Sequence, residues 1–593
     1  MQQANDSSQP IDFLLRSFNA LDPRVAEDPT QILYNLLDSR RSPLTPDQVI
    51  SSTSSNGFHH QFSQEESSQS SYTKTALSLG IEGSYGVYSG SVAVDYEKET
   101  DTTSKTTYSN YTSDLTSGTL LFSQSDDPTA IAANINTAAV DALNAIRTLA
   151  DAEAFTKTHG THVVLGVILG GTLSIVIQSS ASTFAQKETL SSEIKANYDG
   201  IGSMSAVAKA AHDSKVAAGS SSLKQELKAL GGTVSALAGL DLADEASIKA
   251  WLATCDASSV RALYKSTEWW RLASNATASA VLKHYLDLCL LKHSLENPVV
   301  FSSYGPLTAY QYNTVTATVD AGYKIIGGGA WLDPSGPDFL TACFPTLDSA
   351  QAVNGWQTVS HDCMIPSPGG AALVAYALGV HDPANLLKIV CTSAQGSNPT
   401  IGADSATAQV ADGCLLTGGG IETGSGQQYA RFVTGSFPSA VGGSDYNAWV
   451  ARGHDYANAS AATLQAWAVG IKAPGAPEIA ISKIVVKNNG GLQSHGTSFA
   501  GLGTGQKVAG GGTELEQAGS QSPDSLQNLL HASFPTNQQG VFGWQEFDGD
   551  LNGVVDKVVA TAYAFTLRVS STVAGVTFQP YAVQLMKKVL AEA

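Results

Sequence analysis

Charged residues are scarce in this chain, and basic residues are the scarcer kind. Only 14% of its 593 residues are Asp, Glu, Lys or Arg, and 52 acidic residues against 33 basic ones give a formal net charge of −19. A basic surface is what attracts a phosphate backbone or anionic lipid headgroups. The composition therefore predicts no nucleic-acid partner, and it predicts that membrane binding depends on a specific receptor or headgroup.

Long apolar runs and cysteines are also few. No stretch reaches the about 18 uninterrupted apolar residues of a transmembrane helix. The N-terminus, MQQANDSSQPIDFLLRS, lacks the basic and then apolar segments of a secretory signal. Six cysteines in a chain of this length do not form a disulfide framework. We therefore expect a protein that is soluble as made and has no signal peptide.

Motifs of common catalytic and cofactor sites are missing as well. The sequence has no Gly-x-Ser-x-Gly, no phosphate-binding loop, no His-Glu-x-x-His and no paired Cys-x-x-Cys. Residues 548–553 match the first half of a calcium loop, but Val559 stands where the bidentate glutamate belongs. We predict no catalytic residues, no metal site and no cofactor, and hence a protein that is not an enzyme.

The most apolar long stretch runs from residue 155 to 177, FTKTHGTHVVLGVILGGTLSIVI. Its richness in Val, Ile and Leu favours a buried strand. The stretch contains Gly160-Thr161-His162, and the pair Gly170-Gly171 follows in its middle. Because glycine inside a strand usually marks a bend, a bulge or a close backbone approach, we predict a strand that bends at this pair.

Two segments alternate apolar and polar residues, as strands with one lipid face and one wet face do. In residues 75–105 the apolar positions include Leu77, Leu79, Ile81, Tyr85, Val87, Val92 and Val94. In residues 187–230 they include Ile194, Ala196, Tyr198, Met204, Leu223 and Leu227. The second segment also fits a helix, with Leu223 and Leu227 on one stripe, and Gly231-Gly232 closes it like a hinge. An amphipathic hairpin on a soluble sheet, or an ordinary helix, would show the same periods.

From about residue 298 the chain repeats itself three times. Glycine triplets at 327–329, 418–420 and 510–512 are each followed by Phe-Pro, by a tryptophan and by an Ala-aromatic-Ala sequence; the tryptophans are Trp356, Trp449 and Trp544. One unit of a few short strands buries little surface alone, so three would pack around a shared axis. The repeats predict an all-β module with pseudo-threefold symmetry, and they leave a β-prism and a β-trefoil both open.

The triplet Gly160-Thr161-His162, followed by Gly170-Gly171, resembles the signature of the membrane attack complex/perforin (MACPF) family. Aromatic residues usually flank the triplet in that family, whereas His159 and Val163 stand there in this chain. The resemblance implies an α+β fold. Residues 1–297 would form a MACPF-like domain, a bent and twisted central antiparallel sheet flanked by two helical clusters. Residues 298–593 would form the three-repeat receptor-binding module, of the kind appended to bacterial and fungal members.

The same resemblance implies a pore-forming toxin. The C-terminal module would bind a cell-surface receptor or glycan, and the monomers would assemble into a homo-oligomeric ring on the lipid bilayer. Residues 75–105 and 187–230 would then insert as two β-hairpins per subunit into a transmembrane β-barrel pore. The likeness to bacterial insecticidal members suggests release from a bacterial cell and action at the membrane of a target cell. A non-lytic lectin-like adhesin and a glycan-processing enzyme are the alternatives.

Overall fold

The computed structural model describes most of the chain. The residues that it describes are 9–22, 33, 36–53, 59–65, 73–74, 76–77, 85, 106–181, 186, 189–192, 194, 220–233, 235–236, 245–307, 312–333, 338–362, 372–396, 403–423, 431–443, 445–455, 463–493, 497–517, 528–538, 541–550 and 558–571.

The N-terminal part is built around a seven-stranded antiparallel sheet. Its strands are β1 (Ser17–Phe18), β2 (Val49–Thr53), β3 (His59–Glu65), β4 (Thr106–Phe122), β5 (His162–Ala181), β6 (Ser220–Gly231) and β7 (Val260–Glu268). The two long strands, β4 and β5, pair along most of their length and form the centre of the sheet.

Each long strand changes its outer partner partway along. Residues 162–169 of β5 pair with β7, and residues 171–181 pair with β6. On β4, residues 108–114 pair with β3 and residues 118–122 pair with β2. We call the level at which both changes occur, between residues 114–118 of β4 and 169–171 of β5, the junction. It divides the sheet into a first half, which contains residues 162–169 of β5, and a second half, which contains residues 171–181.

Three short helices follow β4: α1 (Pro128–Asn134), α2 (Thr137–Ala145) and α3 (Leu149–His159). Capping residues fix where each begins. Asp127 accepts from the backbone N–H groups of residues 129 and 130, Asn136 caps α2, and Thr148 forms a capping box with Asp151. The sequence predicted that the apolar stretch from residue 155 is a strand. Instead α3 extends to His159, and Gly160, with φ +77°, ends it.

Two further helices of this part are α4 (Glu245–Leu252) and α5 (Ala276–Glu296). The long helix α5 contributes to two apolar cores. Leu282 and Leu286 pack with residues of the first half of the sheet, whereas Leu288, Leu291 and Leu295 pack with side chains of the C-terminal strands. Among the described residues, no helix combines the length and apolarity needed to cross a bilayer.

The C-terminal part consists of strands in the described residues, as the sequence predicted. They are β8 (Val299–Pro306), β9 (Asn313–Ala317), β10 (Tyr323–Leu332), β11 (Asp338–Leu347), β12 (Val353–Asp362), β13 (Ala372–His381), β14 (Lys388–Gln395), β15 (Ala403–Gln409), β16 (Leu415–Thr423), β17 (Arg431–Ser439), β18 (Ala448–Asp455), β19 (Leu464–Lys472), β20 (Ile479–Gln493), β21 (Thr497–Gly501), β22 (Gly510–Gln517), β23 (Asn528–Gln538), β24 (Val541–Asp550) and β25 (Val558–Ser571).

These strands form three six-stranded sheets. Sheet I has the order β21-β24-β23-β10-β13-β8, sheet II has β14-β19-β16-β11-β12-β9, and sheet III has β15-β18-β17-β22-β25-β20. In each sheet, three strands come from one stretch of the chain and three from another. Sheet I, for example, joins strands before residue 382 to strands after residue 496. The three stretches are thereby interlocked through backbone hydrogen bonds.

Candidate functional site: the junction of the central sheet

Gly170 lies in the junction and adopts a backbone conformation that other residues rarely take. Its φ is +130°, and a Cβ atom there would overlap the backbone carbonyl of Leu115 on β4. The pairing of β4 with β5 shifts register at this level, between Thr116 and Gly118. The Gly170 N–H donates to the carbonyl of Ser259, just before β7 (2.8 Å). The glycine pair therefore sits at a bulge in the sheet, where close backbone approach excludes side chains.

Gly171 pairs with Gly231, the last residue of β6. Helix α4 and the turn that follows it pack over both glycines. The fully buried Trp251 donates through Nε1 to the Gly231 carbonyl (3.0 Å). A Cβ atom at Gly171 would lie 2.5 Å from Cys255 Sγ, and one at Gly232 would lie 2.5 Å from Thr254 Oγ1. Burial raises the pKa of the Cys255 thiol to about 12, so the thiol is protonated near pH 7 and packs as a small apolar group.

A buried ion pair also spans the junction. Arg261 on β7 contacts Asp114 on β4 (Nη1–Oδ1 3.1 Å) and donates to Thr116 Oγ1 (2.9 Å) and to Thr172 Oγ1 on β5 (3.1 Å). Thr172 donates in turn to Asp114 (2.7 Å). Burial lowers the pKa of Arg261, and the carboxylate of Asp114 opposes that shift. One guanidinium thus joins three strands at the level where the outer strands change.

The Gly160-Thr161-His162 triplet holds the N-terminal segment against β5. A Cβ atom at Gly160 would overlap the carbonyl of Phe18, so glycine permits the close approach. The Thr161 N–H donates to that carbonyl (2.8 Å), and Thr161 Oγ1 accepts from the N–H of Ala20 (2.9 Å). The His162 ring stacks on Phe18, with ring centroids 5.0 Å apart. The sequence did not indicate this role for residues 15–20.

His162 also contacts the first predicted insertion segment. The ring of Tyr85 meets the His162 ring edge-on, with centroids 4.5 Å apart, and Tyr85 is buried. Burial lowers the pKa of His162 to about 4, so the imidazole is neutral near pH 7. Thr161 Oγ1 and His162 Nδ1 share a hydrogen bond (2.7 Å). The motif therefore touches both the N-terminal segment and residue 85.

The structure places only some of the predicted membrane-insertion residues. Leu77 and Tyr85 are helical here, Leu77 being exposed, and Ile194 is helical and buried. Leu223 and Leu227 lie in β6, so the helical interpretation is wrong for that part of the second segment; β6 is a strand because it pairs with β5 along 171–181. The other predicted positions lie outside the described residues: Leu79, Ile81, Val87, Val92, Val94, Ala196, Tyr198 and Met204.

Helical residues of the second segment contact the second half of the sheet through polar groups. Gln64 on β3 donates to the carbonyl of Ser191 (2.8 Å), and the hydroxyls of Thr107 and Ser191 are 3.1 Å apart. Leu190 and Ile194 are buried beside them.

The three repeated tryptophans occupy matching places in the C-terminal sheets. Trp356, Trp449 and Trp544 are buried, and each packs on the middle glycine of a triplet (Gly328, Gly419 and Gly511). The indole N–H donates to Cys343 Sγ (3.1 Å), Ser436 Oγ (2.9 Å) and Ser533 Oγ (2.9 Å), respectively. In the described part of the chain, no three His, Cys, Asp or Glu side chains are grouped so that they could hold a metal ion.

Residues 34–251 match the model of the family described as the MAC/Perforin domain. No curated protein matches the sequence. GNIP1Aa from Chromobacterium piscinae is a similar solved structure, at 15% identity over 69% of this chain and 76% of that one, with a TM-score of 0.30. A putative cell invasion protein with a MAC/Perforin domain, from Bacteroides thetaiotaomicron, has 15% identity over 46% and 55%, with a TM-score of 0.29. Both TM-scores are too low to indicate a shared fold, so the presence of a MAC/Perforin domain rests on the family match over residues 34–251.

Proposed function

We propose that this chain, which carries a MAC/Perforin domain over residues 34–251, is a pore-forming toxin. Its C-terminal module binds a receptor or glycan on a target cell, and copies of the chain gather into a ring on the membrane. The central sheet then straightens at the junction, and residues within 75–105 and 187–230 enter the bilayer as hairpins. The source is a bacterial cell that releases the protein, and the activity is the pore, without an enzymatic step.

The junction is the observation that carries this proposal. Both long strands change outer partners at one level, Gly170 has a φ of +130°, and Gly231 and Gly232 also have positive φ. A strand that continues straight needs none of these features. They are what a sheet needs if it is held bent and can relax into a straight one.

The C-terminal sheets support a pseudo-threefold receptor-binding module. Three sheets of six strands each draw on two stretches of the chain, and the tryptophans stand in matching environments. Such interlocking favours a β-prism over a β-trefoil. A rigid module of this kind can bind a surface while the MAC/Perforin domain changes shape.

A disulfide across the junction tests the mechanism. A Cβ atom at Gly171 would lie 2.5 Å from Cys255 Sγ and 2.8 Å from Cys255 Cβ, so a shift of about 1 Å reaches disulfide geometry. We expect oxidised Gly171→Cys to bind cells like the wild type but to release no calcein from vesicles of a plasma-membrane extract. Reduction should restore release.

The matched control is the double variant Gly171→Cys/Cys255→Ala, which cannot form the bond and should permeabilise vesicles under both conditions. Release by the oxidised single variant at the wild-type rate would exclude straightening at the junction. Cell binding by the wild type without any release would favour the non-lytic adhesin instead.

A further inference from the structure

An aromatic pair lies on the outer side of each C-terminal sheet. The residue before each phenylalanine shows which face of the sheet the pair occupies. Cys343, Ser436 and Ser533 accept hydrogen bonds from the buried tryptophans. Because side chains alternate along a strand, the phenylalanines that follow them point to the opposite face. The pairs are nearly parallel, with ring centroids 5.7–6.4 Å apart; they are Phe344 with Trp467 on sheet II, Phe437 with Tyr563 on sheet III, and Tyr376 with Phe534 on sheet I.

Two of the three pairs are covered by the protein's own side chains. On sheet III, Phe437 is 5% exposed and Tyr563 is 4% exposed. The Arg452 guanidinium lies 4.8 Å from the Phe437 ring centroid, and Lys487 Nζ lies 5.2 Å from that of Tyr563. On sheet I, Tyr376 and Phe534 belong to a buried apolar cluster. Neither pair offers a free ring face to a ligand.

The pair on sheet II is partly exposed. Phe344 and Trp467 stand in one row that crosses all six strands, over about 24 Å at the usual strand spacing. The rest of that row is uncharged: Thr316, Gln357, Gly420 and Ser393. Thr316 and Ser393, at its two ends, are exposed.

Glu422 is the charged group beside this row. Its carboxylate accepts from Trp467 Nε1 (3.0 Å), which fixes the indole ring, and a carboxylate can accept further hydrogen bonds. Glu514 stands at the matching position of sheet III, but there it accepts from Tyr563 and pairs with Arg452 (2.9 Å). Among the described residues, sheet II thus keeps the aromatic pair and the acceptor without a cation over either ring, whereas Arg452 and Lys487 cover the pair on sheet III.

We propose that the outer face of sheet II, centred on Phe344 and Trp467, binds a neutral glycan. The apolar C–H face of a sugar ring packs against the aromatic rings, while sugar hydroxyls bond to the amide of Gln357 and to Glu422. We expect a neutral sugar because the six residues of the row include no cation that could pair with the acidic group of a charged sugar. This inference names the ligand class of the receptor-binding role and therefore rests on the proposed function.

Binding of the full-length protein to immobilised neutral oligosaccharides tests this inference, with sialylated and sulfated forms as the acidic set. We expect at least one neutral sugar to bind and Trp467→Ala to weaken it tenfold or more. Ser393→Lys places a cation at the exposed end of the row, where folding is not at risk, and should also weaken binding. Thr407→Lys, which places a cation at an exposed position on the edge strand β15 of sheet III, is the matched control and should bind like the wild type.

The inference fails if no neutral sugar binds, if the acidic set alone binds, or if Ser393→Lys and Trp467→Ala both bind normally. Calcein release separates this failure from that of the proposed function. Release without neutral-sugar binding overturns the glycan site alone. Sugar binding that depends on Trp467, without release from any membrane, leaves the glycan site standing and overturns the pore.

Discussion

Alanine substitutions at the two adjacent glycines of the junction should have different costs. At Gly170 the new Cβ atom would overlap a backbone carbonyl, and the φ of +130° is unfavourable for any side chain. At Gly171 it would meet the side chain of Cys255, 2.5 Å from Sγ. The first collision involves main-chain atoms of the neighbouring strand, whereas alanine at residue 255 would remove the nearest atom of the second and leave the Cβ contact of 2.8 Å.

The expected magnitudes follow from these contacts. A strained backbone costs about 1–3 kcal/mol, and the overlap with β4 adds to it, so Gly170→Ala should cost about 3 kcal/mol or more. Overpacking alone costs about 1–3 kcal/mol, which sets the range for Gly171→Ala. Cys255→Ala removes the nearest atom, so the double variant Gly171→Ala/Cys255→Ala should be less destabilised than the two single changes together.

Hydrogen exchange of the β4 and β5 amides measures the local opening free energy at this place. About 3 kcal/mol corresponds to more than a hundredfold faster exchange for Gly170→Ala. Gly442→Ala is the control for backbone strain alone, since Gly442 has a φ of +74° and no atom within 4 Å of the added Cβ. If Gly170→Ala costs no more than Gly442→Ala, the close approach of β4 and β5 at the junction adds nothing to the cost of backbone strain.

Two further predictions concern buried charge. Arg431 is fully buried between Asp404 (2.8 Å) and Asp455 (2.9 Å), so Arg431→Met should cost about 3–5 kcal/mol by leaving two carboxylates uncompensated; an unchanged Tm would refute this. Burial lowers the pKa of His162 to about 4 and that of His293 to about 3, below the usual 6.5. The unfolded chain therefore binds these protons first, and stability should fall by about 1.4 kcal/mol per pH unit from each histidine as the pH drops from about 6.5 to 4. The unfolding free energy, measured with urea at several pH values, should fall less steeply with decreasing pH in His162→Gln than in the wild type. The same pH dependence in both proteins would contradict the depressed pKa of His162.

Patterns with short periods predicted much of this structure. The Val-Ile-Leu stretch predicted a strand, the glycine pair predicted an irregularity within it, and the threefold recurrence predicted a C-terminal part made of strands. Each of these signals lies within a few residues or repeats at a fixed interval, so it can be recognised in one sequence. The boundary at residue 160 was misjudged because a glycine that ends a helix also suits a strand.

Contacts between distant parts of the chain could not be predicted in the same way. Cys255 fills the space over Gly171, and Phe18 packs on His162. The two residues of each pair are far apart in the chain, so no periodic pattern in a single sequence connects them. The strand β6 was ambiguous for a related reason. Its leucines fit both a helical stripe and an alternating strand, and pairing with β5 decides between the two.

The two halves of the central sheet differ in what their opening would expose. Around residues 162–169 both faces bury apolar side chains, among them Val163, Val164, Leu165 and Val167. Around residues 171–181 the buried side chains are mixed: the hydroxyls of Thr107, Ser109, Ser113, Ser174 and Ser179 lie among the apolar side chains of Tyr108, Tyr111, Leu173, Val176 and Ile177. Exposed apolar surface costs about 25 cal/mol per Å², whereas a hydroxyl that leaves a buried site regains its hydrogen bonds in water. In the proposed mechanism, the segments that cover the second half leave, and we expect the hydroxyls beneath them to lower the cost of that step, while the first half stays packed against α5. The proposed mechanism therefore predicts that the sheet divides at the junction, with residues 162–169 of β5 in the part that stays fixed and residues 171–181 in the part that its covering segments leave.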